Sequence, residues 1–364
     1  MKHLKFSKSY LILLSLIVKE LKSLFGITAL LILVLCCSTF AQQNYKTIPL
    51  PDSLRGVNLE YSGLSWNEGR LFLLPQYGDH KETKLEGTFN LYSILADSIG
   101  RVIDGKDSSL TLYKTLKVKN LEQLPDSIKA HYEGFEAITM NKRDVYLAVE
   151  SETEWDFFYI LKGTLNAQQT EISIDPVNFI TLRKYPFVEN AGFESLTYLP
   201  KKHKLIAVYE YNAMDCGGIG FLIDPAFKKR VKKVNIPFST FRITDTQSKS
   251  GKDLYALNFY YNGDYKTYLD NNLIRHAESK IKTNIPELKA NIDANPKYLQ
   301  EKTTNYARIM KMDKIKGATW NQVAAFPAAK NNWEGMALYR QGSLVISDAN
   351  RSGRQVTTLA FIGF

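Results

Sequence analysis

Five places in the chain put an oxygen-bearing side chain into one recurring pattern: Ser62, Glu136, Glu194, Asp245 and Glu334. The pattern is an aromatic residue, usually an acid, a small residue, an aliphatic one, a small or hydroxyl residue and an apolar one. It reads Tyr61-Ser62-Gly63-Leu64-Ser65-Trp66, Phe135-Glu136-Ala137-Ile138-Thr139-Met140, Phe193-Glu194-Ser195-Leu196-Thr197-Tyr198 and Trp333-Glu334-Gly335-Met336-Ala337-Leu338, with a weaker copy at Ile243-Thr244-Asp245-Thr246. About fourteen residues after each comes a second set, Gln76, Glu150, Glu210, Asn258 and Asp348. Carboxylates gathered in a partly dry place repel one another, so some keep their protons or share a cation. A donor set of oxygens without His or Cys suits a hard ion such as calcium, not zinc. The metal-ligating candidates are therefore Ser62, Glu136, Glu150, Glu194, Glu210, Asp245, Glu334 and Asp348. Glu136, Glu194 and Glu334 are also the candidates to activate water. With no base beside it, Ser62 reads as a hydroxyl ligand and not as a nucleophile. The competing reading is that each acid accepts backbone N–H bonds from its neighbours and acts as internal glue.

Positioning such a set requires repetition. Each copy is followed by a strand-like run, at 71–75, 145–149, 205–209, 254–257 and 344–346, and then, in all but the last, by two further runs of period-two alternation separated by turn residues. Four-stranded units repeated about an axis make a β-propeller. The expected fold is all-β, a five-bladed propeller; six blades is the alternative, with a degenerate blade hidden in 82–104 or in the fourth unit. The last unit is one strand short, and Tyr45-Lys46-Thr47-Ile48-Pro49-Leu50-Pro51 is expected to complete it. In such meanders the first strand starts and the second strand ends on one face, so both sets of oxygens should converge at one mouth of the channel. The aromatics Tyr61, Phe135, Phe193 and Trp333 are expected to pack between blades.

The fourth unit carries an insertion at about 264–304. Leu269, Leu273, Ala277 and Ile281 recur there at helical spacing up to Pro286. It is expected to pack on the rim or to lie over the binding face. Basic residues (Lys2, Lys5, Lys8, Lys19, Lys22), an apolar run at 24–35 and Thr39-Phe40-Ala41 read as a signal peptide cleaved after Ala41. A retained anchor or a lipid on Cys36 or Cys37 is the alternative. Residues 42–364 then form a single propeller domain, secreted, periplasmic or on the cell surface. Of the 3 cysteines only Cys216 lies in it, so packing must hold the domain together without an intrachain disulfide.

The formal charge of +10 falls to +6 once the 5 basic residues and 1 acid of 1–41 are set aside. That is mild for the length. The basic clusters Lys201-Lys202-His203-Lys204 and Lys228-Lys229-Arg230 with Lys232-Lys233 fall at expected hairpin ends, and no nucleic-acid module is recognisable. Neither a Gly-x-Ser-x-Gly elbow, a His-Glu-x-x-His pair nor a phosphate-cradling loop occurs. His131, close to Glu133 and Glu136, is the one histidine placed to be an acid–base partner.

These segments resemble the phytase-like ("esterase-like activity of phytase") β-propellers of secreted bacterial proteins and, more distantly, the SdiA-regulated five-bladed propellers. The likeness rests on 61–66, 133–139 with Ala148-Val149-Glu150, 192–198, Ile243-Thr244-Asp245, Trp333-Glu334-Gly335-Met336-Ala337, Val345-Ile346-Ser347-Asp348-Ala349-Asn350 and the closing Thr357-Thr358-Leu359-Ala360-Phe361. It implies a calcium site at the acidic mouth and a calcium-dependent ester or phosphoester hydrolase. Blade four departs from the pattern, Ala137 and Ser195 stand where glycine is usual, and the aspartate motif of phytate-cleaving propellers is absent. The alternative function is a non-catalytic, calcium-stabilised propeller that binds a cell-surface glycan or protein. Expected partners are a small ester or phosphoester, or such a glycan, with no nucleic acid; the membrane enters only through an uncleaved signal or lipid anchor. The chain is expected to be a monomer.

Overall fold

The alternating runs do form strands, and each unit is an antiparallel meander. The computed structural model describes residues 45–78, 85, 89–152, 155–184, 191–213, 217–261, 305–315, 319–326, 331–350 and 355–364. The expected signal segment (1–41), Cys216 and the insertion at 264–304 lie outside the described residues. No helix among the described residues is long and apolar enough to cross a membrane.

A lone strand β1 (Tyr45–Ile48) precedes the first meander, β2 (Tyr61–Asn67), β3 (Arg70–Pro75), β4 (Phe89–Leu95) and β5 (Lys114–Lys119), with helix α1 (Ala96–Ile103) between the last two. A short helix α2 (Asp126–Lys129) leads to the second, β6 (Tyr132–Asn141), β7 (Asp144–Ser151), β8 (Phe157–Leu165) and β9 (Glu171–Arg183). The third is β10 (Ser195–Leu199), β11 (Lys204–Val208), β12 (Gly218–Ile223) and β13 (Lys232–Ile236). The fourth is β14 (Arg242–Gln247), β15 (Leu254–Tyr260), β16 (Tyr306–Met312) and β17 (Asn321–Ala325). The chain ends with β18 (Asn332–Leu338), β19 (Gly342–Asp348) and β20 (Thr358–Gly363). Strand β1 pairs antiparallel with β20, Tyr45 opposite Ile362, and makes that last sheet four-stranded.

One join was not expected. The outer strands of the first two meanders pair in parallel over Lys117–Lys119 and Glu171–Ser173, merging two sheets into one of eight strands. The first strands pack side by side, β2 on β6, β6 on β10, β10 on β14, β14 on β18 and β18 on β2. This is the arrangement of a β-propeller.

Burial explains the sequence of each strand. Second strands lie inside a sheet and between two neighbouring sheets, so β3 and β19 are buried throughout and carry apolar runs at their centres, 71–74 and 344–346. Outer strands meet solvent on one face, and β5 (Lys-Thr-Leu-Lys-Val-Lys) alternates accordingly. Five apolar clusters fill the spaces between successive meanders, including one between the last and the first, where Leu344 and Ile346 share a cluster with Leu64 and Leu73. The motif aromatics belong to these clusters. Phe135 stands edge-on to Phe89 at 4.7 Å, and Trp333 packs on Phe326 at 5.1 Å.

The small residue of the motif also has a steric cause. First strands approach so closely that a Cβ on Gly335 would come within 2.8 Å of Ile346 and 3.0 Å of the Gly63 backbone. Gly335→Ala is therefore expected to cost about 1–3 kcal/mol through overpacking. Denaturant unfolding reads this directly, and an unchanged midpoint would mean the strands have room to spare.

Candidate active site at the axial mouth

The acids are aimed by β-bulges. In a bulge one residue has no partner opposite it and its side chain leaves the regular alternation. The ladder slips between Tyr61 and Gly63, between Phe135 and Ala137, between Ile243 and Asp245, and between Trp333 and Gly335. The unpaired residues are Ser62, Glu136, Thr244 and Glu334, while Glu194 immediately precedes β10. These five occupy one structural position.

The fourth meander thus corrects the sequence alignment by one residue. Thr244, not Asp245, stands at the acid position. Asp245 takes the small-residue position and is buried at the axis. Its Oδ1 accepts the Thr246 N–H at 2.7 Å and its Oδ2 the Met336 N–H at 2.7 Å. The Leu64 N–H is a third backbone donor to the same carboxyl. Burial raises the Asp245 pKa well above the usual range, and the three N–H bonds offset part of that rise. Asp245 therefore ties the fourth meander to the last and the first, the role of internal glue.

The same slip moves the second set. Glu150 lies opposite Gly134 and Asp348 opposite Asn332, each one residue before the motif aromatic. In the fourth meander that place belongs to Phe259, opposite Arg242. Asn258 instead points into a polar knot, donating to Ser239, Phe241 and Arg242 and accepting from Arg308 at 2.7 Å. Ser62 and Thr244 donate their hydroxyls to the carbonyls of Phe135 and Trp333 in the next meander.

A cavity of about 290 Å³ opens at this mouth. Glu194 and Glu210 line it from the third meander, Arg242, Thr244, Phe259 and Tyr261 from the fourth, and Asn332, Glu334 and Asn350 from the last. Of the three expected catalytic acids, Glu194 and Glu334 reach the cavity. Glu136 stands behind them, its Oε1 accepting from Gln76 Nε2 at 2.5 Å and its carboxyl hydrogen-bonded to Glu150. Two glycines make room for this layer, since a Cβ on Gly134 would meet Gln76 at 2.6 Å and one on Gly192 would meet Glu150 at 3.1 Å.

The acids feel one another. Burial raises Glu136, Glu194 and Glu334 well above the usual carboxyl range, and neighbouring carboxyls add to it: Glu150 on Glu136, Glu210 on Glu194, Asp348 on Glu334. Burial also brings Glu150 to about 7, held back by the Lys184 ammonium, and Asp348 to about 7, held back by a hydrogen bond from Asn332. Glu210 differs. It makes a buried ion pair with Arg242, Oε1 to Nη1, at 2.7 Å. Glu194 responds to Glu334 and Glu136 as well as to Glu210, so acids of the second, third and last meanders lie within electrostatic reach of one another.

His131 takes no part. Its ring stacks on Trp155 at 3.7 Å and its Nδ1 lies 3.1 Å from Glu152. Oxygen donors are plentiful, and Asp348 Oδ1 is buried without a partner among the described residues. Yet no three acids, histidines or cysteines among those residues form a group that could hold a metal ion. Sequence reasoning missed Arg242, Thr244, Phe259, Tyr261 and Asn332; only the repeat alignment, read with Thr244 beneath Glu334, could have found the second of these.

Residues 129–252 match the SdiA-regulated family model, the more distant of the two resemblances and a propeller-type family. No curated protein matches the sequence. Similar solved structures include a glucose dehydrogenase (10% identity, 88% of this chain and 99% of that one, TM-score 0.43). The GH43_1 enzyme from Xanthomonas citri is another (9% identity, 84% and 88%, TM-score 0.46), as is a GH43 β-1,3-galactosidase (10% identity, 88% and 60%, TM-score 0.48). At these scores the likeness decides neither fold nor function, and the propeller rests on strand topology and the family match.

Proposed function

We propose that the chain is an exported five-bladed β-propeller, its ring completed by β1, whose acidic mouth hydrolyses ester bonds. One observation carries this reading: an acid ion-paired with an arginine and acids pushed up by burial share a single cavity. Glu210 is held by Arg242 in a buried ion pair, and in the proposed reaction it accepts a proton. Glu194 and Glu334, pushed up by burial and by neighbouring acids, hold theirs. Environments that separate the proton affinities of neighbouring carboxyls assign the base and the acid.

In the proposed step a water attacks the acyl carbon and gives its proton to Glu210. The acyl C–O bond breaks, and Glu194 donates its proton to the departing alkoxide, with Glu334 as its neighbour across the cavity. The products are a carboxylic acid and an alcohol. Proton return from Glu210 to Glu194, which line the same cavity, resets the pair. The phytase-like resemblance points to the same reaction class. A phosphoester is less well served, because a phosphate dianion would meet at least three carboxyls and a single guanidinium in the cavity wall unless a cation screened them.

Glu194→Gln is expected to lower the turnover of a chromogenic acyl ester by roughly 10²–10⁴-fold, the range for a general acid. Thermal unfolding of the same variant should match or exceed that of wild type. Equal hydrolysis by both proteins would remove the mechanism. The second reading, a non-catalytic propeller that binds a glycan or protein, draws on Ser62, Thr244 and Asp245, which occupy the motif as inter-strand ties. It requires a ligand that raises the melting temperature and is recovered unchanged. A melting-temperature rise with millimolar calcium would separately bring that ion into either account.

A further inference from the structure

We propose that the ligand of this mouth is an uncharged, hydroxyl-rich molecule, a sugar residue, seated against the fourth blade. This deepens the hydrolytic reading and takes from it that the cavity is the ligand site. The first argument is asymmetry. Around a pseudo-symmetric ring, the third and last blades supply acids at both structural positions, Glu194 with Glu210 and Glu334 with Asp348. The fourth blade supplies none: its register places Thr244 and Phe259 there, with Arg242 opposite Phe259 and Tyr261 just beyond. The blades on either side are therefore built for proton transfer and the fourth blade between them for binding.

The second argument is donor and acceptor balance. Sugar hydroxyls both donate and accept, and they need partners of both kinds. Asn332 and Asn350 offer amides, and protonated Glu334 offers a donor beside an acceptor. Thr244 spends its hydroxyl hydrogen on the Trp333 carbonyl at 2.9 Å, leaving its oxygen as an acceptor. Asn332 spends its N–H groups on Asp348 at 3.2 Å and on Glu334, and keeps its carbonyl oxygen. The third is the aromatic surface. Tyr261 is 45% exposed although it lines the cavity, so a ring face stands ready to cover the C–H face of a pyranose. The cavity, at about 290 Å³, is near the lower end of ligand pockets and takes a ligand of about one sugar unit.

The test uses the full chain, titrated by calorimetry and saturation-transfer NMR with xylose, glucose, glucose 6-phosphate and spermidine. Saturable binding of a neutral sugar is expected, weakened about tenfold by Tyr261→Ala and restored by Tyr261→Phe, which keeps the ring. Glucose 6-phosphate is expected to bind about tenfold more weakly than glucose. Circular dichroism confirms that each variant is folded. Preference for spermidine, absence of neutral-sugar binding, or binding indifferent to Tyr261→Ala each overturns the proposal. Hydrolysis of p-nitrophenyl acetate is followed on the same samples. Turnover without sugar binding keeps the hydrolytic reading and removes this one; sugar binding without turnover does the reverse.

Discussion

The protein is expected to melt at a higher temperature at pH 5 than at pH 8, the reverse of a domain held by ordinary salt bridges. An acid whose pKa is raised by folding binds its proton more tightly in the native state than in the unfolded chain. Between the two pKa values the native state carries more protons, so stability falls as pH rises. For Glu150 the window runs from 4.5 to about 7, and for Asp348 from 3.8 to about 7. Glu136, Glu194 and Glu334 are also raised and carry the decline further upward. A carboxyl moved from 4.5 to about 7 corresponds to roughly 3 kcal/mol. Solvent reaching the partly buried Glu150 makes that an upper figure. The acids titrate as a coupled set, so their contributions do not add one by one. Differential scanning calorimetry across pH 5–8 should show a fall of several degrees, and Glu150→Gln should flatten the curve by removing one titrating member. A melting temperature that climbs over this range would mean the carboxyls are not crowded as described.

Asp245→Ala is expected to be the most damaging single substitution at the axis. It deletes the acceptor for the backbone N–H groups of Thr246, Met336 and Leu64 at a site where Asp245 is only 2% exposed. A buried donor left without a partner costs about 1–3 kcal/mol, so a loss of about 3–5 kcal/mol is expected once some donors relax. Asp245→Asn keeps one carbonyl oxygen and should cost less. Urea unfolding of both variants decides the matter: a loss under about 1 kcal/mol for alanine would show that the tie between blades is not needed. A side chain acting as a metal ligand would instead lose its effect in the presence of a chelator.

The recurring motif was legible because each of its letters has a separate physical cause. The aromatic fills the cluster between two sheets, as Phe135 does against Phe89. The small residue lets first strands touch, as Gly335 does with Gly63. Where both anchors are present, the acid between them falls at the bulge, as Glu136 and Glu334 do, or just before the strand, as Glu194 does. In Ile243-Thr244-Asp245 neither anchor survives, and two polar residues stand side by side. Strand side chains alternate with period two, so an error of one residue moves a group from the mouth to the interior. Asp245 and Asn258 were misassigned for that reason, and Thr244 and Phe259 were missed. The parallel join of β5 to β9 had no local signal either, since it pairs segments more than fifty residues apart.

What the sequence by itself determined is the repeat, the strand order within each unit, and the gathering of acids, because local alternation and side-chain size dictate those. Which acids face the cavity, which of them burial raises, and that Glu210 pairs with Arg242 were decided by tertiary structure. Bulges, ladder register and the distance between charges on separate strands come into being only when the blades pack together.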